Sequence, residues 1–493
     1  MASAAGTETL RASEQRATTS LPPGPRWPAL AQTLAWAVSL PWVLDRCAER
    51  YGEMFTMRFF PSGRRIVVVR GAELVKQVFT APPEVAPSAA GVSPIAPVMG
   101  PSSVLTLTGP EHLRQRRLLL PPFHGERMKE YEQTIVQETR RDIERWPRGE
   151  PMALQERTRA ITLEVILRAV FGVEAERMDA MREAVGALFT PLTLPMLLRI
   201  ALARPTMERP TGAFGRALDH LDATIHAELR RRREQEDLAQ RSDILSLLLQ
   251  AETGTRAEGE CLPASARDEQ GEGMSDAELR DELVTLLLAG HETTATSVAW
   301  AIERLVRHPD KLARLTAEID AGEQDDYLQA VVHETMRVRP VVPLVVRILR
   351  EPLRVGGHAL PEGTRVAPCI WLTNRDPSEY ERPAEFRPER FLGKQPETFS
   401  WIPFGGGIRR CIGASFALLE MKLMLRTILA ELQPVLPEPR RRLTSPSTWS
   451  APIARRRARS PDGEVPGERV RRRAITLVPG DGTRVAWHQR VAG

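Results

Sequence analysis

The ten residues FGGGIRRCIG, 404–413, place one cysteine behind three consecutive glycines and two arginines. The chain holds four cysteines, Cys47, Cys261, Cys369 and Cys411. No two form a CxxC pair, so neither a disulfide framework nor a zinc ribbon accounts for Cys411. An isolated cysteine is ordinarily a small buried hydrophobe. The neighbours here point elsewhere. Gly405 to Gly407 can take positive φ and let backbone approach a flat ligand, while Arg409, Arg410 and a helix starting at Ile412-Gly413-Ala414 favour thiolate over thiol. A nucleophilic cysteine would use the same features but also needs a base. No histidine lies between His358 and His488, although a distant one could fold in.

Around this stretch the chain runs to 493 residues, with a hydrophobic share of 42% that suits a sizeable core. Lys plus Arg (68) exceed Asp plus Glu (63). The basic runs Arg440 to Arg442, Arg455 to Arg457 and Arg471 to Arg473 lack interleaved aromatics and read as solvated loops, which argues against nucleic-acid binding. Residues 1–20 are small and polar and read as a disordered tail, leaving 21–493 as a single domain. The apolar stretch Trp27 to Trp42 is interrupted by Gln32 and Pro41 and falls short of the ~20 residues of a membrane span. The expectation is a cytoplasmic, monomeric protein without a transmembrane anchor.

Met54 to Phe60 and Ile66 to Val69 flank the turn Pro61-Ser62-Gly63 and predict a hairpin. From about Glu111 to Glu252, apolar residues recur at helical spacing, as in Leu163, Val165, Ile166, Ala169 and Val170. Ala251 to Met274 reads as an exposed connecting loop. Ser275 with Glu278 is a capping-box signature, and the absence of proline from there to about Arg307 predicts one long helix. A second helix ends at Pro340, short strands follow, and the last helix begins just after Cys411, with an apolar face through Phe416, Leu419, Leu423, Leu425 and Leu429. A strand over Ala474 to Val478 followed by Pro479-Gly480-Asp481-Gly482 predicts a closing hairpin. The class is mainly α with small β-sheets (α+β), the β-rich subregions lying near 54–70, 341–375 and 470–490.

The cysteine stretch, with Phe404, Gly407, Arg409, Cys411 and Gly413 in register, resembles position for position the haem-binding loop of the cytochrome P-450 superfamily. Three further motifs of that family follow its order. Ala289-Gly290-His291-Glu292-Thr293-Thr294 resembles the oxygen-activation motif, Glu334-Thr335-Met336-Arg337 the ExxR motif, and Phe386-Arg387-Pro388-Glu389-Arg390-Phe391 the segment carrying the ExxR partner. The resemblance covers about residues 21–493. It implies a helical prism with haem b between the long central helix and the helix after the cysteine loop. Cys411 would be the thiolate ligand that favours O–O bond cleavage, shielded by Phe404 and faced by amides of residues 412–414, Gly413 among them.

It further implies that the long helix is locally opened, that small Ala289 and Gly290 leave room for oxygen, and that Glu292 and Thr293 deliver protons. Threonine hydroxyls bonding back to carbonyls one turn earlier are the plain alternative. A zinc-protease HExxH reading of His291-Glu292 fails, because position 295 is alanine. Glu334, Arg337 and Arg390 would form a buried network behind the haem loop; alone, an exposed pair at that spacing contributes only about 0.2–0.5 kcal/mol. His112, Arg116, Arg347 and Arg409 are the candidates for the haem propionates, with Arg114 and Arg117 exposed.

Family resemblance places the substrate pocket among the segment before the first propionate helix, apolar Leu188 to Leu202, the helix near Ala289, Val341 to Val346, and a loop near Ser447 to Ala451. Leu194 to Ala203 reads as a greasy lid, a surface dipping into a membrane, or an ordinary amphipathic helix. The implied activity is an O2-dependent monooxygenase acting on a lipophilic small molecule (fatty acid, terpenoid or polyketide-like). A haem-thiolate sensor or carrier is the alternative, for which Glu292 and Thr293 would be superfluous. No flavin or iron–sulfur segment follows Cys411, so electrons come from a ferredoxin or flavodoxin with its reductase, with Arg410 as a docking charge. The Arg- and Pro-rich stretch from about Pro437 to Glu468 departs from the family pattern.

Overall fold

The computed structural model describes residues 21–490 apart from 93–95, 124, 126, 173–174, 190–208, 254–272, 323 and 438–466. Its longest helix, Asp276–Leu305, begins where the sequence signals it. The Glu278 amide donates to the Ser275 hydroxyl, and the Ser275 amide donates to the Glu278 carboxylate at 2.8 Å. Its 30 residues give about 45 Å at ~1.5 Å per residue. Every residue from 294 to 305 is buried, so no amphipathic stripe marks this half. It packs against helices Leu154–Phe171, Ala414–Glu431 and Asp326–Val338. Their interiors, including Val165, Val170, Leu283, Val298, Val331, Leu425 and Ile428, form one apolar cluster. Helices Gly109–Leu119, Arg127–Ile143, Ala175–Phe189, Gly212–Arg233 and Ile244–Thr253 fill the region predicted to be helical. A continuous core of this extent accounts for most of the favourable folding free energy, at roughly 25 cal/mol per Å² of apolar surface buried.

The sheets are small. Strands β1 (Met54–Arg58) and β2 (Arg65–Val69) form the predicted hairpin, with Met54 opposite Val69 and Arg58 opposite Arg65. Strand β3 is Met152–Ala153, β4 Arg347–Ile348, β5 Leu353–Val355, β6 His358–Leu360, β7 Arg365–Pro368, β8 Leu432–Val435, β9 Val470–Arg473, β10 Thr476–Pro479 and β11 Arg484–Gln489. The largest sheet runs β1-β2-β7-β4, with β2 and β7 parallel. The closing hairpin is not formed: β10 pairs back with β9, and β11 crosses to β3 and β8. Buried Thr483 anchors the connection, its hydroxyl donating to the Ala299 carbonyl of the central helix at 3.0 Å. Consequently Arg471 to Arg473 lie on a strand, exposed, and not in a loop.

Two further boundaries shift. The helix expected to reach Pro340 closes at Val338, and the central helix stops at Leu305. The expected tail (1–20), the greasy segment 194–203, the loop 447–451, most of 251–274 and most of 437–468 fall outside the described residues. Among the described residues, no helix is long and apolar enough to cross a membrane.

Candidate functional site

The cysteine loop is built against the N-terminal third of the chain. Gly405 (φ 67°) and Gly407 (φ 65°) occupy the left-handed region, and Gly406 is extended. A Cβ on Gly406 would lie 2.3 Å from the Phe79 ring, and one on Gly407 2.3 Å from the Phe79 carbonyl oxygen. These two glycines therefore admit Phe79, at the end of helix Ala72–Phe79, and their tight approach is to protein. A Cβ on Gly405 would meet only Val345, at 4.0 Å. The turn closes through the Cys411 amide, which donates to the Phe404 carbonyl at 3.0 Å. Phe404 itself packs edge-on against Trp401, at 5.9 Å between ring centroids.

The Cys411 thiol is accessible to solvent. The protein mass around it pushes its pKa up, and the Gly413 amide, Arg116 and Arg410 only partly counter that. Accessible surface amid dense protein marks the wall of a cavity. Without a metal the thiol is therefore the favoured form, so the arginines and the helix terminus do not by themselves make the thiolate expected from the sequence. Helix Ala414–Glu431 follows and meets the central helix where the Thr294 hydroxyl bonds to the Glu420 carboxyl group. On the central helix Ala289 is exposed while residues 294–305 are buried, so the helix presents open surface at that point.

Residues of three different elements meet near the cysteine loop. His112 and Arg116 share one face of helix Gly109–Leu119, Arg347 is on β4 and Arg409 is in the loop. Burial followed by the charges of Arg409, Arg116 and Arg347 lowers the His112 pKa to about 3. Burial lowers both Arg347 and Arg409 to about 10, Arg409 being pushed further by Arg347 and Arg116. Arg409 donates to the Val104 carbonyl at 2.9 Å and to that of Leu107. Among the described residues no carboxylate pairs with Arg116, Arg347 or Arg409, and the buried Nδ1 of His112 has no partner. Such a cluster costs stability unless an anion completes it. An accessible thiol, an open helix face at Ala289 and three cations lacking carboxylates fit a flat iron macrocycle carrying two acidic groups.

The central helix departs from expectation. It is continuous across residues 289–294, and the Thr293 hydroxyl donates to the Ala289 carbonyl at 2.7 Å. A Cβ on Gly290 would sit 2.8 Å from Ile166 Cδ1, so this glycine serves close packing with helix Leu154–Phe171 and does not itself leave room for oxygen. The Glu292 carboxylate lies 2.8 Å from Arg159 Nε and 3.5 Å from Arg473 Nη1. This two-arginine clamp was invisible in sequence because it joins residues 133 positions before and 181 after the glutamate. The same holds for Glu420, fully buried, whose pKa burial raises to about 8 and whose Oε1 has no partner.

The remaining motif is assembled. Glu334 and Arg337 are fully buried and bidentate, at 2.7 and 2.8 Å. Arg390 Nε lies 3.2 Å from the same carboxylate, and the Arg387 amide donates to it at 2.7 Å. Arg337 also donates to the carbonyls of Asn374, Pro383 and Glu385 at 3.0, 2.8 and 3.0 Å. The Ile402 amide donates to the Asn374 side chain at 2.9 Å, which carries the network to within two residues of Phe404. Arg114, expected to be exposed, is half-buried and pairs with Glu278 at 2.7 Å, while Arg117 is exposed.

The family model described as Cytochrome P-450 matches residues 22–457. Cytochrome P-450 137 of Mycobacterium tuberculosis is 39% identical over 446 residues, covering 89% of this chain and 84% of that protein. Cytochrome P-450 138 of Mycobacterium bovis is 37% identical over 476 residues, covering 95% and 97%. Among solved structures, retinoic-acid-bound cyanobacterial CYP120A1 superposes with a TM-score of 0.73 at 23% identity, covering 96% of this chain and 100% of that one. The haem domain of cytochrome P-450DA gives a TM-score of 0.74 at 21% identity, covering 96% and 98%. These likenesses, together with the α+β fold and the thiol set against unpaired arginines, lead to one conclusion: the chain belongs to the cytochrome P-450 family of haem-dependent monooxygenases.

Proposed function

We propose that this monooxygenase binds haem b through Cys411 and hydroxylates or epoxidises a lipophilic small molecule of fatty-acid, terpenoid or polyketide-like type. The observation that carries the reading is the exposed Cys411 near Arg116, Arg347 and Arg409, three cations without a carboxylate, and the neutral His112 among them. When bound, the haem supplies O2 activation, for which a thiolate ligand donates electron density. The protein's own residues do the rest. The Gly413 amide and the charges of Arg116 and Arg410 moderate the sulfur's charge, and Phe404 packs on Trp401 beside it. Arg116, Arg347 and Arg409, with the neutral His112 imidazole as a hydrogen-bond donor, would hold the acidic edge.

Thr293 and Glu292 are the proton-handling pair on this reading. Thr293 must release the Ala289 carbonyl, and Glu292 must swing from its arginines, before either can face the cavity. Partly buried Val342, Val345 and Val346 give the cavity an apolar wall beside Gly405, which supports a lipophilic substrate. Exposed Arg410, with half-buried Arg409 behind it, supports docking of an acidic ferredoxin or flavodoxin served by its reductase. The reduced protein with carbon monoxide is expected to show the red-shifted Soret band of thiolate ligation, and Cys411→Ala to lose it. The same band persisting in that variant, with helix content unchanged, would falsify the ligand assignment.

A further inference from the structure

Helix Ala29–Val38, ALAQTLAWAV, lies on the outside of the molecule without a single charged residue. Its inward face is fixed. The Gln32 side chain donates to the carbonyls of Pro25 and Trp27 at 3.0 and 2.8 Å and accepts from the Arg58 amide at 2.8 Å, and Trp36 packs edge-on against Phe59 at 5.1 Å. Leu30, Leu34 and Val38, one turn apart on the opposite side, are therefore turned outward, and Val38 is 82% exposed. Trp27 and Trp42 stack at 6.2 Å beside them, both exposed. Phe60, also exposed, joins the patch, because its amide donates to the Thr33 hydroxyl at 2.9 Å. An exposed apolar ridge of this kind is the surface by which proteins meet a partner.

Charge identifies the partner's sign. Arg26 precedes the helix and Arg58, Arg64 and Arg65 lie in the hairpin beside it, while the acidic residues of helix Leu40–Tyr51 are engaged, Asp45 by the Trp371 indole at 2.8 Å and Glu49 by Arg46 at 3.2 Å. Strand β9 adds Arg472, which donates to the Trp36 carbonyl at 3.5 Å. Arg58 stands directly opposite Arg65 in the hairpin register, and Arg64 presses on Arg365 of β7. Like charges paired across strands destabilise a sheet. Among the described residues none of these four arginines makes an ion pair. A second copy of the chain would bring two cationic faces together. An exposed apolar ridge flanked by tryptophans and backed by arginines matches an interface that is fluid, apolar in depth and anionic at its surface.

We infer that this face docks the protein peripherally on an anionic lipid bilayer, with Leu30, Leu34, Val38 and the tryptophan pair entering the headgroup region and the hairpin arginines resting on lipid phosphates. The test uses the full-length, haem-loaded protein in flotation with phosphatidylcholine vesicles, with or without phosphatidylglycerol. Expected are flotation with the anionic vesicles alone, loss of binding on raising salt, and a blue shift of tryptophan emission. Leu34→Glu with Val38→Glu, both at exposed positions, is expected to reduce the bound fraction about tenfold, and Arg64→Glu with Arg65→Glu to weaken it while keeping the carbon monoxide spectrum. Absence of flotation with either vesicle overturns the proposal. So does binding that ignores headgroup charge or survives both variant pairs. Self-association in sedimentation that the glutamate pair abolishes, without vesicle binding, assigns the face to a second copy and overturns it equally.

Discussion

Replacing Arg337 with methionine removes the guanidinium and keeps most of the volume. The structure sets what is lost. Glu334, with no accessible surface, would keep only Arg390 and the Arg387 amide, and the carbonyls of Asn374, Pro383 and Glu385 would lose their donor. Breaking a buried ion pair by removing one partner costs roughly 3–5 kcal/mol. An unfolding entropy of about 2.1 cal/mol/K per residue gives ~1 kcal/mol/K for a chain of 493 residues, so the melting temperature is expected to fall by about 3–5 °C. Circular dichroism melts of the haem-free protein read this directly. The double variant Glu334→Gln/Arg337→Met separates pair from site: if the two act as a unit, the double change costs little more than Arg337→Met alone, with a coupling of at least ~2 kcal/mol. Additive losses, or a single-variant loss under about 1 kcal/mol, would refute the claim that this network, and not helix packing alone, secures the segment behind the cysteine loop.

Two other outcomes follow from the site. His112, His291 and His333 are held neutral, chiefly by burial, with pKa values near 3, 4 and 4. The unfolded chain therefore takes up their protons first, and stability falls as pH drops below about 6.5. Glu420 acts in the opposite sense: its folded pKa of about 8 lies above the unfolded value of 4.5, so it costs stability as pH rises from 4.5 to 8. Above 6.5 the histidine contribution is complete and the buried carboxyls slope downward, Glu420 by at most about 1.4 kcal/mol per pH unit beside Glu282, which burial also pushes well up. Urea titrations of the haem-free protein should place the maximum near pH 6.5, and Glu420→Gln should flatten the alkaline limb; an unchanged limb would show that Glu420 ionises freely. Gly407→Ala puts a methyl at positive φ, 2.3 Å from the Phe79 carbonyl. It should lower the haem retained per chain after purification, measured as the pyridine haemochrome, and full retention would mean that the loop does not depend on this contact.

Much of this architecture was legible in local chemistry. The capping box marked the start of the central helix, the Pro-Ser-Gly turn marked the hairpin, and glycine spacing around Cys411 marked the loop, because each is decided by a few adjacent residues. What escaped reading was decided across the chain. Gly290 read as room for a ligand but is filled by Ile166; Gly406 and Gly407 read as contacts to a flat ligand but receive Phe79. Glu292 read as a proton-delivering acid, and the two arginines it meets, Arg159 and Arg473, had no local signal. In each case the residue type was informative and the partner was not, because a small or charged side chain states a requirement without saying which distant segment meets it. Strand pairing at the C-terminus failed for the same reason: β11 satisfies its backbone with β3 and β8 in preference to the adjacent β10.

The dependence of the cysteine loop on Phe79, Val104 and Leu107 has a temporal side. Arg409 and its Val104 acceptor are separated by 305 positions. At synthesis rates of about 5–20 residues per second the N-terminal half of the contact waits ~15–60 s for its other half. During that interval the early helices can gather on their own apolar faces, but the walls that would grip the cofactor do not yet exist together. On the proposed reading of the cysteine loop as the haem site, haem capture is thereby postponed until nearly the whole polypeptide has emerged, and a nascent chain truncated before Cys411 would not sequester cofactor.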